Sequence, residues 1–154
     1  MSASLLNMRV YLDNCVFNRP FDDQSSERIR NETAASLRIL REIALERVDL
    51  VWSYINESEN LRNKFEEKKR SIYEWKQIAV IEILESENLL TNGKKLIELG
   101  LTVGDALHIA SAAEAKADFF LTTDDKIIRK VAEFEGVIVL NPIDAVEKLD
   151  EYIN

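Results

Sequence analysis

The sequence predicts an α/β fold: three α/β/α layers around a central parallel sheet of four or five strands. Three observations carry this. Short apolar runs recur at residues 8–13, 48–54, 118–121 and 137–140. Longer stretches with apolar residues at helical spacing separate most of them, the alternation that gives a parallel sheet covered on both faces. Acids stand at or just past the ends of two of these runs, the edge at which open parallel sheets hold their ligands.

The elements follow in order. M-R-V-Y-L-D, residues 8–13, is a short buried strand ending at an acid. N-R-P-F-D-D-Q-S-S carries Pro20 and two Asp and is expected to be a loop. From Glu27 to Glu46 the apolar residues Ile29, Leu37, Leu40, Ile43 and Ala44 mark a long amphipathic helix, started by Ser25 or Ser26. V-D-L-V-W-S-Y, residues 48–54, is the second strand. Helices are expected over 55–65, over 71–86 (Ile72, Trp75, Ile78, Ala79, Ile81, Ile83) and around 94–99, the last ended by Gly100. Thr102 opens an Ala-rich helix running to about Ala117. Residues 118–121 form the third strand, 125–134 a helix and 137–140 the fourth strand, and a closing helix follows Pro142. Residues 55–117 are therefore expected as a helical layer with no strand of their own.

Composition bounds the class. A chain of 154 residues is expected to form one domain, residues 1–154, with a core of ordinary size. Its 46% hydrophobic and 31% charged residues argue against both a disordered and a membrane-embedded chain, and no apolar run approaches a membrane span. Residues 1–7 show no basic region followed by a long apolar stretch, so no signal peptide is expected. The single Cys15 excludes an internal disulfide and fits a cytoplasmic location. A net charge of −8 argues against non-specific nucleic-acid binding. Basic residues do cluster locally, from Arg62 to Arg70 and at Arg28, Arg30, Arg38 and Arg41. These read either as solvated helix faces interleaved with Glu or as a rim that contacts phosphates.

Four acids beside strands or helix starts carry the chemistry: Asp13, Glu59, Asp105 and Asp124. In an open α/β sheet all four can reach one edge. Four unpaired carboxylates in one cleft repel one another unless a cation sits among them, and a hard divalent ion is the natural partner. Each has a plainer reading. Asp105 completes a capping box with Thr102, Asp124 is an N-cap, and Glu59 is an exposed helix acid. Asp13, at the end of a strand this apolar, is the hardest to explain structurally. His108, three residues after Asp105, reads as a packing residue of an Ala-rich helix, and Cys15 lacks a neighbouring His to activate it. No phosphate-cradling glycine loop and no His/Cys zinc set is present.

The blocks V-Y-L-D-N, S-Y-I-N-E-S-E-N, G-D-A-L-H-I-A-S-A and F-F-L-T-T-D-D-K, in this order, resemble the PIN domain family of VapC-type toxin nucleases over nearly the whole chain. The resemblance implies a metal-dependent ribonuclease with Asp13, Glu59, Asp105 and Asp124 as catalytic acids. Of these, Asp13, Asp105 and Asp124 would bind Mg²⁺ or Mn²⁺. Asn14 stands where the family often has Thr or Ser; Asn14, Thr122 and Asp125 are the expected supporting residues. The resemblance also implies an RNA substrate, a homodimer, and an antitoxin that reaches into the acidic cleft with a basic side chain. A catalytically silent module that binds RNA or protein is the alternative. A phosphatase of the haloacid-dehalogenase type would need a second acid two residues after Asp13, where Cys15 stands.

Overall fold

The computed structural model describes residues 7–153; the stretch inspected for a leader, residues 1–7, lies outside it except for Asn7. Five parallel strands form one sheet in the order β3-β2-β1-β4-β5. They are β1 (Met8–Leu12), β2 (Val48–Ser53), β3 (Ile81–Ile83), β4 (Phe119–Leu121) and β5 (Ile138–Leu140). Between them run α1 (Asn14–Asn18), α2 (Glu27–Ala44), α3 (Tyr54–Leu61), α4 (Glu66–Ile78), α5 (Glu87–Glu98), α6 (Val103–Glu114) and α7 (Asp125–Lys130), with α8 (Pro142–Ile153) at the end. The strand sides alternate as a pleated sheet requires. Met8, Val10, Leu12, Leu50 and Trp52 pack with α2 and α8 on one face. Tyr11, Val51 and Phe120 pack with α5, α6 and α7 on the other.

The chain moves outward from β1 through β2 to β3, then returns to the other side of β1 for β4 and β5. The direction therefore reverses between β1 and β4, and the carboxyl ends of these two strands flank the crevice where ligands bind in such sheets. Register holds the two ends level: Leu12 pairs with Leu121, and the Asp13 amide donates to the Leu121 carbonyl at 2.9 Å.

Three local expectations are corrected. Residues 71–86 are not one helix, and the span 55–117 does contain a strand. Ala79 leaves helical geometry (ψ 137°), Val80 donates to the Leu50 carbonyl, and Ile81–Ile83 joins the edge of the sheet beside β2. Ile78, Ala79, Ile81 and Ile83 fit a helical stripe as well as an I-x-I strand, so spacing alone could not separate them. The segment after Asp13 is more ordered than a loop: α1 buries Val16 and Phe17, and a 3₁₀ turn over Arg19–Phe21 follows with Pro20 in its first turn. Finally, α5 starts at Glu87, capped by Ser86, seven residues before the expected start. Gly93 inside it depresses helix propensity, but a Cβ there would meet Leu107 Cδ2 at 3.2 Å, so the glycine permits α5 and α6 to pack closely. Gly100 adopts φ +99°, the left-handed geometry expected past a helix end. No helix among the described residues is long and apolar enough to cross a membrane.

Candidate active site

Asp13 ends β1 and is buried. Its Oδ2 accepts a hydrogen bond from Thr122 Oγ1 at 2.8 Å, and the same oxygen of Thr122 accepts from the Asp124 amide. The strand end after β4 thus orients the carboxylate at the strand end after β1. Glu59 reaches the same place from α3. The start of that helix is set by Ser53, whose hydroxyl accepts from the amides of Ile55 and Asn56 while the Asn56 side chain accepts from the Ser53 amide.

The third member is His108, fully buried on α6. Its Nε2 lies 2.9 Å from Glu59 Oε1 and 3.8 Å from Asp13 Oδ1. Ligand atoms of Asp13, Glu59 and His108 all fall within 4.8 Å of one another. The Nε2–Glu59 contact satisfies distance but not hydrogen-bond direction, so Nε2 is a buried atom without a well-aligned partner. Behind it, Nδ1 meets the Tyr11 hydroxyl at 2.5 Å, and that hydroxyl meets Ser53 Oγ at 2.5 Å. A ring nitrogen fixed from behind and facing two carboxylates is a donor set that accommodates a cation. Burial alone would lower the His108 pKa, but the Glu59 carboxylate close to Nε2 and the charges of Asp13 and Asp105 more than offset it and leave it raised.

Asp105 sits in the first turn of α6, its amide bonded to Thr102 Oγ1 as the capping motif predicts. Burial, followed by repulsion from Asp13 and Glu59, raises its pKa against the opposing effects of Thr102 and His108. It therefore belongs electrostatically to the same cluster. The neighbouring residue confirms the approach of this turn: a Cβ on Gly104 would lie 3.7 Å from Glu59 Oε1.

The remaining predicted residues border this cluster and carry bonds of their own. Asp124 is exposed and caps α7, its Oδ1 accepting from the Lys126 amide, and its ligand atoms are not among the three grouped around His108. Asp125 pairs with Arg28 at 2.9 Å, and that bond lowers its pKa. Asn14 exchanges hydrogen bonds with Asn56, donating to its carbonyl and accepting from its side chain, so it ties β1 to α3. The Cys15 thiol is pushed up to about 12 by burial and the Asp13 charge, which removes it as a nucleophile. Sequence reasoning passed over His108 as a ligand; its three-residue offset from Asp105 on one helix face was the available signal.

A strand-end Asp, a Glu on the helix after the neighbouring strand and an acid opening an Ala-rich helix define a PIN-type site on a PIN-type fold. The PIN domain family matches residues 10–133, and the chain belongs to that family. Its family-level activity is that of a nuclease. Among solved structures, the fold is similar to that of a chain in VapBC2 from Rickettsia felis bound to a DNA fragment from their promoter. That likeness has a TM-score of 0.56 and 15% identity over 87% of this chain and 98% of that one. A chain in VapBC-1 from nontypeable Haemophilus influenzae is similar to the same degree, at TM-score 0.56 and 15% identity over 88% of this chain and 98% of that one. At this identity both likenesses are of fold. No curated protein matches the sequence.

Proposed function

We propose that this protein, a single domain over residues 1–154, is a divalent-metal-dependent endoribonuclease and the toxin of a cytoplasmic toxin–antitoxin pair. The observation that carries the reading is the convergence of Asp13, Glu59 and His108 at the sheet's reversal point, with Asp105 coupled to them. The catalytic acids are Asp13, Glu59, Asp105 and Asp124. Asp13, Asp105 and Asp124 are the proposed metal ligands, and His108 Nε2 joins them as a further donor. Mg²⁺ or Mn²⁺ bound there supplies charge neutralisation, activation of a water and stabilisation of the leaving oxygen.

The protein's own groups supply the geometry. Thr122 holds the Asp13 carboxylate, and Tyr11 holds the His108 ring with Nε2 toward the carboxylates. An antitoxin would quiet the site by presenting a guanidinium to the same carboxylates; the VapBC structures of like fold support such a partner. The homodimer is part of the same reading.

The test is cleavage of a mixed set of labelled RNAs with Mg²⁺, with Mn²⁺ and with EDTA, alongside metal titration by calorimetry. The expected result is metal-dependent cleavage lost in Asp13→Asn, with weakened metal binding in that folded variant. Full activity in Asp13→Asn, or no heat of binding at millimolar metal, overturns the proposal in favour of a silent binding module.

A further inference from the structure

A recess of about 160 Å³ opens onto Glu59. Its wall carries Asn14, Asn18, Asn60 and Asn63 together with Arg62 and Lys68. Two features of that wall are not explained by the fold. Asn18 donates its amide nitrogen to the Asn14 carbonyl and Asn60 donates its own to the Lys69 carbonyl, both at 2.9 Å. The Oδ1 atoms of both are then buried acceptors with no donor, a costly state in the wall of this recess. The second feature is charge. Lys69 pairs with Glu66 and Lys76 with Glu57 and Glu82. Among the described residues, neither Arg62 nor Lys68 is paired with a carboxylate, so two unneutralised cations flank an acidic crevice in a chain of net charge −8.

Two aromatic rings complete the rim. The Lys68 ammonium lies 5.9 Å from the centre of the Phe21 ring and 6.0 Å from that of Phe65. These rings are 51% and 69% exposed, so neither is held there by core packing. Both stand on ordered backbone. Phe21 ends the 3₁₀ turn that Arg19 fastens to Asp22, Glu32 and Thr123, and the Phe65 amide donates to Asn63 Oδ1. Exposed rings beside unpaired cations and a wall of asparagine amides match the parts of a nucleotide: a π-face, a phosphate and polar base edges. A duplex hides its base faces in the stack; a single strand presents them. The small apolar area, two rings among amides and cations, suits a nucleotide better than the apolar face of a protein segment.

We propose that this recess is the subsite for one nucleotide of single-stranded RNA next to the bond to be cut, its base against Phe21 and Phe65 and its phosphate on Lys68 and Arg62. The proposal rests on the ribonuclease reading and adds to it the strand geometry and the residues that grip the substrate.

The test uses a fluorescein-labelled single strand of mixed sequence, about 12 nucleotides long, and the same sequence paired into a duplex. Anisotropy is read in the Asp13→Asn background, and cleavage is assayed separately with wild type. Phe21→Ala combined with Phe65→Ala is expected to weaken single-strand binding about fivefold to 150-fold and to leave duplex binding and melting temperature unchanged. Phe65→Trp should preserve binding. Lys68→Ala should lower the slope of log affinity against log salt by about 0.7. If wild type cuts RNA but the double variant binds and cuts single strands as before, the subsite is refuted while the ribonuclease reading stands. Absence of any binding or cleavage by wild type removes both. Loss of a co-expressed protein partner with RNA binding intact assigns the rings to that partner and refutes the proposal.

Discussion

Tyr11→Phe isolates the support behind the site. The substitution keeps the ring, which is fully buried and stacked on Phe120 with centroids 5.2 Å apart, and deletes one hydroxyl. Ser53 Oγ tolerates the loss, because it still accepts from the amides of Ile55 and Asn56. His108 Nδ1 does not: the Tyr11 hydroxyl is its hydrogen-bond partner at 2.5 Å, and the ring is fully buried. One buried nitrogen left unpaired costs about 1–3 kcal/mol, or a fall of roughly 3–10 °C in Tm at this chain length. Freed from its rear partner, the ring no longer holds Nε2 toward Glu59 and Asp13, and metal affinity should drop about 10–100-fold. Urea denaturation gives the first quantity and calorimetric titration with Mn²⁺ the second. A cycle with His108→Ala should then show a coupling of about 0.5–3 kcal/mol. Additive losses, or a Tyr11→Phe protein as stable and as metal-avid as wild type, would refute the idea that this hydroxyl orients the histidine.

Two further outcomes follow from groups around the site. In EDTA, stability should decline as pH rises above about 6.5, the ordinary histidine value. The raised pKa of His108 means that the folded state binds its proton more tightly than the unfolded state does, so the contribution is full below that value and is lost on passing the folded pKa. Asp105, also raised, acts in the same direction at lower pH. His108 is the chain's one histidine, so His108→Asn should flatten the upper part of the urea-midpoint profile; an unchanged slope there would contradict the assignment. Glu32→Ala should cost about 3–5 kcal/mol, since Glu32 is fully buried and receives Arg19, Arg28 and Asn141 at 3.2, 3.3 and 2.6 Å. A loss below about 1 kcal/mol in the same denaturation assay, the level of an exposed pair, would show that the ion pair does not clamp the fold.

Legibility in the sequence followed the strength of local periodicity. The strands at 8–12 and 48–53 were readable because each is a short apolar run carrying an adjacent valine and aromatic residue, Val10–Tyr11 and Val51–Trp52. Ile81–Ile83 was not, because three residues at a sheet edge share their apolar spacing with the helix before them. Asp13 stood out from its place at a strand end and Glu59 from the resemblance to the PIN family, and the two carboxylates meet beside His108. His108 was hidden by statistics: a lone histidine among alanines is usually packing. What distinguishes it is three-dimensional, the meeting of α6 with Glu59 on one side and Tyr11 on the other. For Asp124 the plain N-cap reading and the functional one predict the same residue at the same place, so sequence could not separate them, and the structure displays the cap.

Asn14 shows how the site tolerates a departure from the family's usual hydroxyl after the first acid. An amide has both a donor and an acceptor, and here each is used: Nδ2 donates to the Asn56 carbonyl at 3.1 Å and Oδ1 accepts from Asn56 Nδ2 at 2.8 Å. Asn56 Nδ2 also donates to the Leu12 carbonyl, while its Oδ1 accepts from the Ser53 amide. These bonds fasten the end of β1 to the start of α3, three residues before Glu59. A Ser or Thr hydroxyl at position 14 has one proton to give and a shorter reach, and could not close this reciprocal pair. The spacing between Asp13 and Glu59 is therefore set by two buried amides, leaving the carboxylates themselves free of structural bonds to each other. That separation of duties suits a cluster whose members must face a cation together: the amides hold the frame, Thr122 and Tyr11 hold Asp13 and His108, and the charge is left to be neutralised from the crevice.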